Sequence, residues 1–233
     1  MRSRTGIGID EWRSVQGGDG FEAVMDPRDG RTVYAESQDG NIVRIDRLTN
    51  ERKSIRPVAA KGEPPLRWNW NTPIVLSAHN PDTLYVGANK VFKSPDRGQT
   101  WTAISPDLTQ NTDREGLSLM GVAAKDITIA KNDGVQSYGN LVQLSESPRQ
   151  AGVLYAGADD GSVHMTKDDG KTWTNITAKF PGVPKNSYVS GLTPSTHDPN
   201  TVYATFDNHN NDDYGTYVYA LSLIHISEPT RRS

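Results

Sequence analysis

The sequence predicts an all-β fold assembled from repeated four-stranded antiparallel units. Three observations predict it: a recurring aliphatic-Tyr-small triplet, a turn rich in Pro and Asn/Asp ahead of each triplet, and an eight-residue motif that occurs twice in step with them. The triplets are Val33-Tyr34-Ala35, Leu84-Tyr85-Val86, Leu154-Tyr155-Ala156 and Val202-Tyr203-Ala204. A period of roughly 50 to 70 residues per triplet is the signature of a repeat architecture rather than of one undivided core. The preceding turns are Asp26-Pro27-Arg28-Asp29-Gly30, Asn80-Pro81-Asp82-Thr83, Ser147-Pro148-Arg149-Gln150 and Asp198-Pro199-Asn200-Thr201. Pro presets the turn φ, and Asn or Asp bonds its own backbone there.

After three of the triplets comes a hairpin signal: Gln38-Asp39-Gly40-Asn41, Ala88-Asn89-Lys90 and Asp159-Asp160-Gly161-Ser162. A β-branched or aromatic run follows, such as Ile42-Val43-Arg44-Ile45, so each unit reads as an antiparallel meander. Two meanders run into the octets Ser94-Pro95-Asp96-Arg97-Gly98-Gln99-Thr100-Trp101 and Thr166-Lys167-Asp168-Asp169-Gly170-Lys171-Thr172-Trp173. In each, the Asp can accept backbone N–H bonds across the turn, the Gly can take positive φ, and the Trp can return to fill the core. Such units match β-propeller blades, whose sheets bury their faces against their neighbours.

The blades fall at about residues 15–57, 66–106 and 138–178, with a fourth from Ser187 to Tyr219, and Glu11-Trp12-Arg13-Ser14-Val15 reads as a closing strand of a preceding blade. The expected organisation is therefore a partial β-propeller over residues 1–220, about three and a half blades, whose partners include the remaining blades of the same propeller. The stretch 105–137 is a long interblade excursion with room for a short helix or strand between Leu117 and Ile129. No third octet follows Tyr219. Residues 221–233 resemble a translated sequencing adapter and are expected to be a non-native tail, although Leu221 to Ile226 also has the pattern of a strand.

The octets resemble the Asp-box, or bacterial neuraminidase (BNR) repeat, of sialidases, xyloglucan-cleaving glycoside hydrolases and the sortilin ectodomain. Across residues 11–220 the chain is similar to large bacterial Asp-box propellers with sortilin-like repeats. That resemblance implies an exported protein, extracellular or periplasmic, that binds or scaffolds a glycan or peptide; the alternative it implies is a polysaccharide-cleaving glycoside hydrolase with part of its site in missing blades. The octet residues Ser94, Asp96, Gly98, Thr100, Trp101, Thr166, Asp168, Gly170, Thr172 and Trp173 are assigned a structural role, because turn bonding accounts for each residue type.

Composition narrows the chemistry. The 233 residues carry 25 Lys+Arg against 28 Asp+Glu, a net charge of −3 with no long run of either sign, so a nucleic-acid partner is not expected. No apolar stretch has the length of a membrane helix, so no membrane insertion is expected. The absence of Cys excludes disulfides and thiolate chemistry. No two His stand at ligand spacing, and Asp207-Asn208-His209-Asn210-Asn211-Asp212-Asp213 lacks the Gly and Glu of a calcium loop, so neither metal nor cofactor is expected.

For catalysis the candidates are Asp19 and Asp39. Gly17-Gly18-Asp19-Gly20-Phe21 with Tyr34-Ala35 and Gly40–Arg44 resembles the opening blade of the xyloglucan-cleaving hydrolases, but Gln38 stands where that family has an aspartate. A glutamine cannot exchange a proton as a carboxyl does. For ligand binding the candidates are Arg67, Trp68, Asn69 and Trp70: on a strand, the two Trp share one face, where they either stack a sugar ring or fill the interblade core.

Overall fold

The computed structural model describes residues 14–119, 121–131, 133 and 137–223. The chain is all-β, and its antiparallel sheets follow one another as propeller blades. Blade one comprises β1 (Ala23–Met25), β2 (Thr32–Ser37), β3 (Asn41–Asp46) and β4 (Arg52–Ser54). Blade two comprises β5 (Ile74–Leu76), β6 (Leu84–Gly87), β7 (Val91–Ser94) and β8 (Thr102–Ala103). The excursion holds a small hairpin, β9 (Ser118–Leu119) and β10 (Val122–Ala123), flanked by short 3-10 turns at Arg114–Gly116 and Ala124–Asp126. Blade three comprises β11 (Leu141–Glu146), β12 (Leu154–Ala158), β13 (Val163–Thr166) and β14 (Thr174–Asn175), and blade four β15 (Tyr188–Pro194), β16 (Thr201–Asn208) and β17 (Asp213–Ser222). No described helix is long and apolar enough to cross a membrane.

Each blade is a meander in chain order, because tight turns can join only adjacent antiparallel strands. The triplets form the second strand of each blade, and in blades two and three alternation sends the flanking residues to the preceding blade and the tyrosine to the following one. The cores consequently lie between blades. Tyr34, Ile42 and Ile55 of blade one pack with Ile74, Leu84, Val86 and Phe92 of blade two, and Tyr155, Val163 and Met165 of blade three with Val189, Val202 and Phe206 of blade four.

Both octets adopt one conformation. Asp96 Oδ1 accepts from the backbone of Gln99 (3.0 Å) and Thr100 (2.8 Å), and its Oδ2 from the Thr100 hydroxyl (2.6 Å). Asp168 accepts from Thr172 N at 2.9 Å and the Thr172 hydroxyl at 2.6 Å. Ser94 and Thr166 hydroxyls each donate to the Asp and accept from Gly98 N and Gly170 N. These bonds hold the Asp96 and Asp168 carboxyls down at about 2, the Thr hydroxyl contributing most.

The tryptophans differ from the sequence expectation. Trp101 and Trp173 pack against the core clusters between blades but are half-buried rather than fully buried, and they reach back across the seam, Trp101 Nε1 donating to Ile55 O at 2.6 Å and Trp173 Nε1 to Ile104 O at 2.8 Å. The octet therefore staples its blade to the one before. A Cβ on Gly170 would stand 2.7 Å from Ile104 O, at a φ of +85° that side chains disfavour, so only glycine lets the turn sit so close.

Two sequence expectations fall partly outside the described residues. Of the anticipated closing strand, residues 11–13 are outside them, while Val15 packs against Val33, Ala35 and Ile45. Of the tail, 224–233 lies outside; Leu221 and Ser222 continue β17 and Leu223 is buried.

Candidate functional site

Antiparallel pairing places the loop before each inner strand and the hairpin between the second and third strands at the same end of every blade, opposite the octet turns. That loop end collects Asp19, Asp39 and residues 67–72, together with the hairpin at Asp159 and Asp160.

Residues 67–72 are a loop with bends at Trp70 and Asn71, not a strand, which corrects the expected alternation of faces. The cause is local: Asn69 Oδ1 accepts from Asn71 N at 3.0 Å and Asn69 O from the Thr72 hydroxyl at 3.2 Å, an Asx-type turn that competes with extended pairing. Trp68 is buried, with Arg56 5.1 Å from its ring centroid and Gly40 pressed so close that a Cβ there would meet the ring at 2.5 Å. Its faces are thus taken by the protein, and Trp70 is the half-exposed aromatic of the pair. Arg67 is committed to the fold: it bonds Asp107 (2.8 Å), the Thr109 hydroxyl (2.8 Å) and Gly139 O (3.1 Å), pinning the excursion to blades two and three.

Asn69 reaches the chemistry that sequence reasoning passed over. Its Nδ2 donates at 3.1 Å to Asp159 Oδ2, and Asp159 also accepts from Gly139 N, Asn140 N and Asn140 Nδ2 at 2.8–2.9 Å. Burial nonetheless raises the Asp159 carboxyl to about 6, with the neighbouring Asp160 adding to the rise. Asp160 accepts from Gln110 N (2.6 Å) and Ser162 N (3.0 Å), tying the excursion to this hairpin. Tyr138, before β11, has its hydroxyl pushed up by burial and by both aspartates.

Glu36 is another buried acid whose carboxyl is raised. It is fully buried on β2, and its Oε1 accepts only a long bond from Glu22 N (3.4 Å), while Oε2 has no partner among the described residues. Desolvation lifts it to about 7, although the backbone N–H groups of Glu22, Phe21 and Thr72 that face it pull the other way; the Glu22 carboxylate raises it further. Residues 69–72 therefore run between two raised carboxyls, Asp159, which Asn69 bonds, and Glu36, which the Thr72 backbone faces, while burial raises Glu22 beside Glu36 as well. The signal for Glu36 lay in the repeat: the residue two after the tyrosine is Gly87 in blade two and Gly157 in blade three, so a Glu in blade one is out of pattern.

Of the catalytic candidates, Asp19 is exposed and Asp39 is half-buried at a φ of +61°, at the turn that packs on Trp68. In the Asp207–Asp213 hairpin, Asp213 accepts from Asn208, Gly215 N and the Tyr217 hydroxyl and Asp207 from His209, so its oxygens serve the turn. Two clefts lie away from the loop end: one lined by Thr32, Arg44, Asp46 and Lys53 with Arg97, the other by Ser77, Tyr85, Lys93, Glu146 and Asp169.

No family model and no curated protein matches the chain. Solved structures do. The GH74 xyloglucanase from Xanthomonas campestris superposes with a TM-score of 0.53 at 16% identity, over 86% of this chain and 29% of the enzyme. The extracellular domain of a hybrid two-component system from B. thetaiotaomicron gives 0.51 at 13% identity, over 83% of this chain and 22% of that one. The fold is a β-propeller. The chain spans under a third of the length of either of these solved structures.

Proposed function

We propose that this chain is a ligand-binding or scaffolding segment of an exported bacterial propeller, with a glycan or peptide as its ligand, and that its octets are Asp-box (BNR) hairpins as in sortilin-like repeat proteins. The observation that carries the reading is the loop end: half-exposed Trp70 beside two buried acids held near neutrality, Glu36 and Asp159, linked by one polar loop. An aromatic edge with convergent polar groups is what a sugar ring or an extended peptide requires. The octets support the Asp-box assignment through their shared Ser/Thr-Asp-Gly-Thr bonding. Export is supported by the origin of the two-component extracellular domain named above.

A glycoside hydrolase is the second reading, and Glu36 is what favours it, since a carboxyl raised to about 7 stays protonated as a general acid must. Asp19 and Asp39 are its candidate partners, the remaining groups coming from further blades. Affinity electrophoresis of the purified chain in gels of soluble polysaccharide, xyloglucan included, and titration with peptide pools separate the readings. Retardation or peptide binding that Trp70→Ala abolishes, without release of reducing sugar, supports the binding reading. Reducing-sugar release lost in Glu36→Gln supports the hydrolase. No retention and no turnover would remove the loop end as the site.

A further inference from the structure

The first two seams share a frame beside the octet turn and fill it differently. In the seam between blades one and two, the residue after the octet aspartate is Arg97, and its guanidinium enters the seam. Nη2 donates to the Thr32 hydroxyl at 2.7 Å and to Asp26 Oδ2 at 3.2 Å, and Nε to the Tyr34 hydroxyl at 3.3 Å. Asp26 is fully buried, and Arg97 and Arg28 together make a carboxylate tenable at that depth.

In the seam between blades two and three, the repeat puts Thr83 and Tyr85 where Thr32 and Tyr34 stand, Ser77 in the place of Asp26 and Asp169 in that of Arg97. These four residues, with Glu146, Lys93 and His79, line a cleft of about 250 Å³. That suits a single side chain, since pockets for drug-sized ligands begin at roughly 300 Å³. The acid returns from the other wall. Glu146 of blade three, where blade two has Leu76, is 9% exposed, and its Oε2 accepts from the Ser77 hydroxyl at 2.6 Å and Ala78 N at 3.0 Å, which brings a carboxylate to the place that Asp26 holds in the first seam. Its Oε1 lies 3.3 Å from the Tyr85 hydroxyl, which is also 3.4 Å from Asp169 Oδ1 and has one proton for the two carboxylates. Lys93 Nζ, 2.5 Å from Asp169 Oδ2, balances that acid, and His79 spends Nε2 on Ser147 O at 2.8 Å. Glu146 forms no ion pair among the described residues.

We propose that this cleft binds an arginine side chain of a polypeptide partner, its guanidinium standing to Thr83, Tyr85 and Glu146 as that of Arg97 stands to Thr32, Tyr34 and Asp26. Glu146 is the counter-ion and Asp169 a second acceptor at the mouth. A planar fork of five donors meets a carboxylate and two hydroxyls at once, as the first seam demonstrates, whereas an ammonium presents its donors from one point. Lys93 does not bar the cation. Its counterpart Arg44 already stands beside Arg97 and donates to the Arg97 carbonyl at 2.9 Å, so the frame holds two cations where acids balance them. Both walls belong to blades with a further blade of the chain on their other side. The site is at the octet end, and the inference does not rest on the ligand proposed for the loop end.

The probe is N-acetyl-arginine amide, titrated onto the purified chain at low salt by saturation-transfer NMR. Saturable binding with a Kd of about 1 mM is expected, weakening as salt is added. The citrulline analogue, of like shape but uncharged, should not bind, and N-acetyl-lysine amide should bind less tightly. Glu146→Gln should lower the affinity at least about tenfold, because the guanidinium loses its charged acceptor. Asp169→Arg supplies the guanidinium from the chain itself. Residue 169 has a φ of +61° and Arg97 one of +63°, so the backbone there already has the conformation from which an arginine enters a seam. That variant should abolish binding and melt no lower than the parent, which decides the matter whether or not Glu146→Gln folds. Equal binding of the arginine probe and either analogue, or no saturation by about 50 mM, would overturn the proposal. So would full affinity in Asp169→Arg, a lowered melting point of that variant, or a Glu146→Gln protein that melts like the parent and binds as tightly.

Discussion

The seams between blades one and two and between blades two and three are fastened by octets; the seam between blades three and four is fastened by rings. In the first two, a Trp indole donates across the gap to Ile55 O or Ile104 O, and the residue after the octet aspartate reaches the tyrosine of the previous blade: Arg97 Nε to the Tyr34 hydroxyl at 3.3 Å, and the Tyr85 hydroxyl to Asp169 at 3.4 Å. In the third, Phe180, Phe206 and Tyr219 cluster with centroids 5.1–6.0 Å apart, Tyr219 edge to face with both phenylalanines, and the Tyr219 hydroxyl donates to Pro181 O at 2.7 Å. The backbone slot is still used: Leu223 N donates to Asn200 O at 2.7 Å, as Arg97 N does to Asp82 O and Asp169 N to Gly152 O. But Leu223 carries no polar group to the seam, and the Tyr155 hydroxyl is buried without a partner among the described residues. One repeat scaffold therefore tolerates two ways of closing a seam, and the difference lies in whether the tyrosine hydroxyl is satisfied.

The largest effect should come from the staples. Trp101→Ala or Trp173→Ala loses a half-buried ring and a cross-seam bond, about 3 kcal/mol by denaturant unfolding, whereas Tyr219→Phe in the third seam, which keeps its ring, should lose no more than about 1 kcal/mol. Equal losses would show that the octets do not fasten the seams. Next comes Glu36, in the first seam beside Thr72. Its folded value of about 7 lies above the ordinary carboxylate range, so its contribution is fully present at pH 4 and is lost as the pH rises through 7. Glu36→Gln should flatten that decline and stabilise the protein at pH 8 by about 1–2 kcal/mol, read from melting curves at both pH values.

A smaller contrast isolates the hydroxyls. Tyr85→Phe removes a hydroxyl bonded to Glu146 and Asp169 and should cost about 1 kcal/mol, while Tyr155→Phe removes an orphan and should be neutral or mildly stabilising. A cost at Tyr155 matching that at Tyr85 would mean that the two seams are equivalent after all. The smallest and most local effect is acid sensitivity. Asp26, held down to about 2 first by its bond to Arg28, and Asp96 and Asp168, held there by their turns, contribute stability that is present above pH 4 and lost as the pH falls through 2. Hydrogen exchange between pH 4 and 2 should therefore loosen the two octet turns before the β15–β16 pairing of blade four.

Much of this architecture was legible in the chain. The Tyr triplets, the turns with Pro and Asn/Asp, and the two octets determined the strands, their order and the internal bonding of the octet, because each rests on contacts within a few residues: a fixed φ, an Asx bond, an alternation of period two. What tertiary structure alone decided concerns partners distant in sequence. The octet tryptophans point to the preceding blade, Asn69 abandons a strand to bond Asp159 ninety residues away, and Trp68 spends its faces on Gly40 and Arg56. Glu36 and Asp159 become the raised acids only because neighbouring blades close over them, and desolvation depends on what surrounds a group rather than on the residues beside it in the chain.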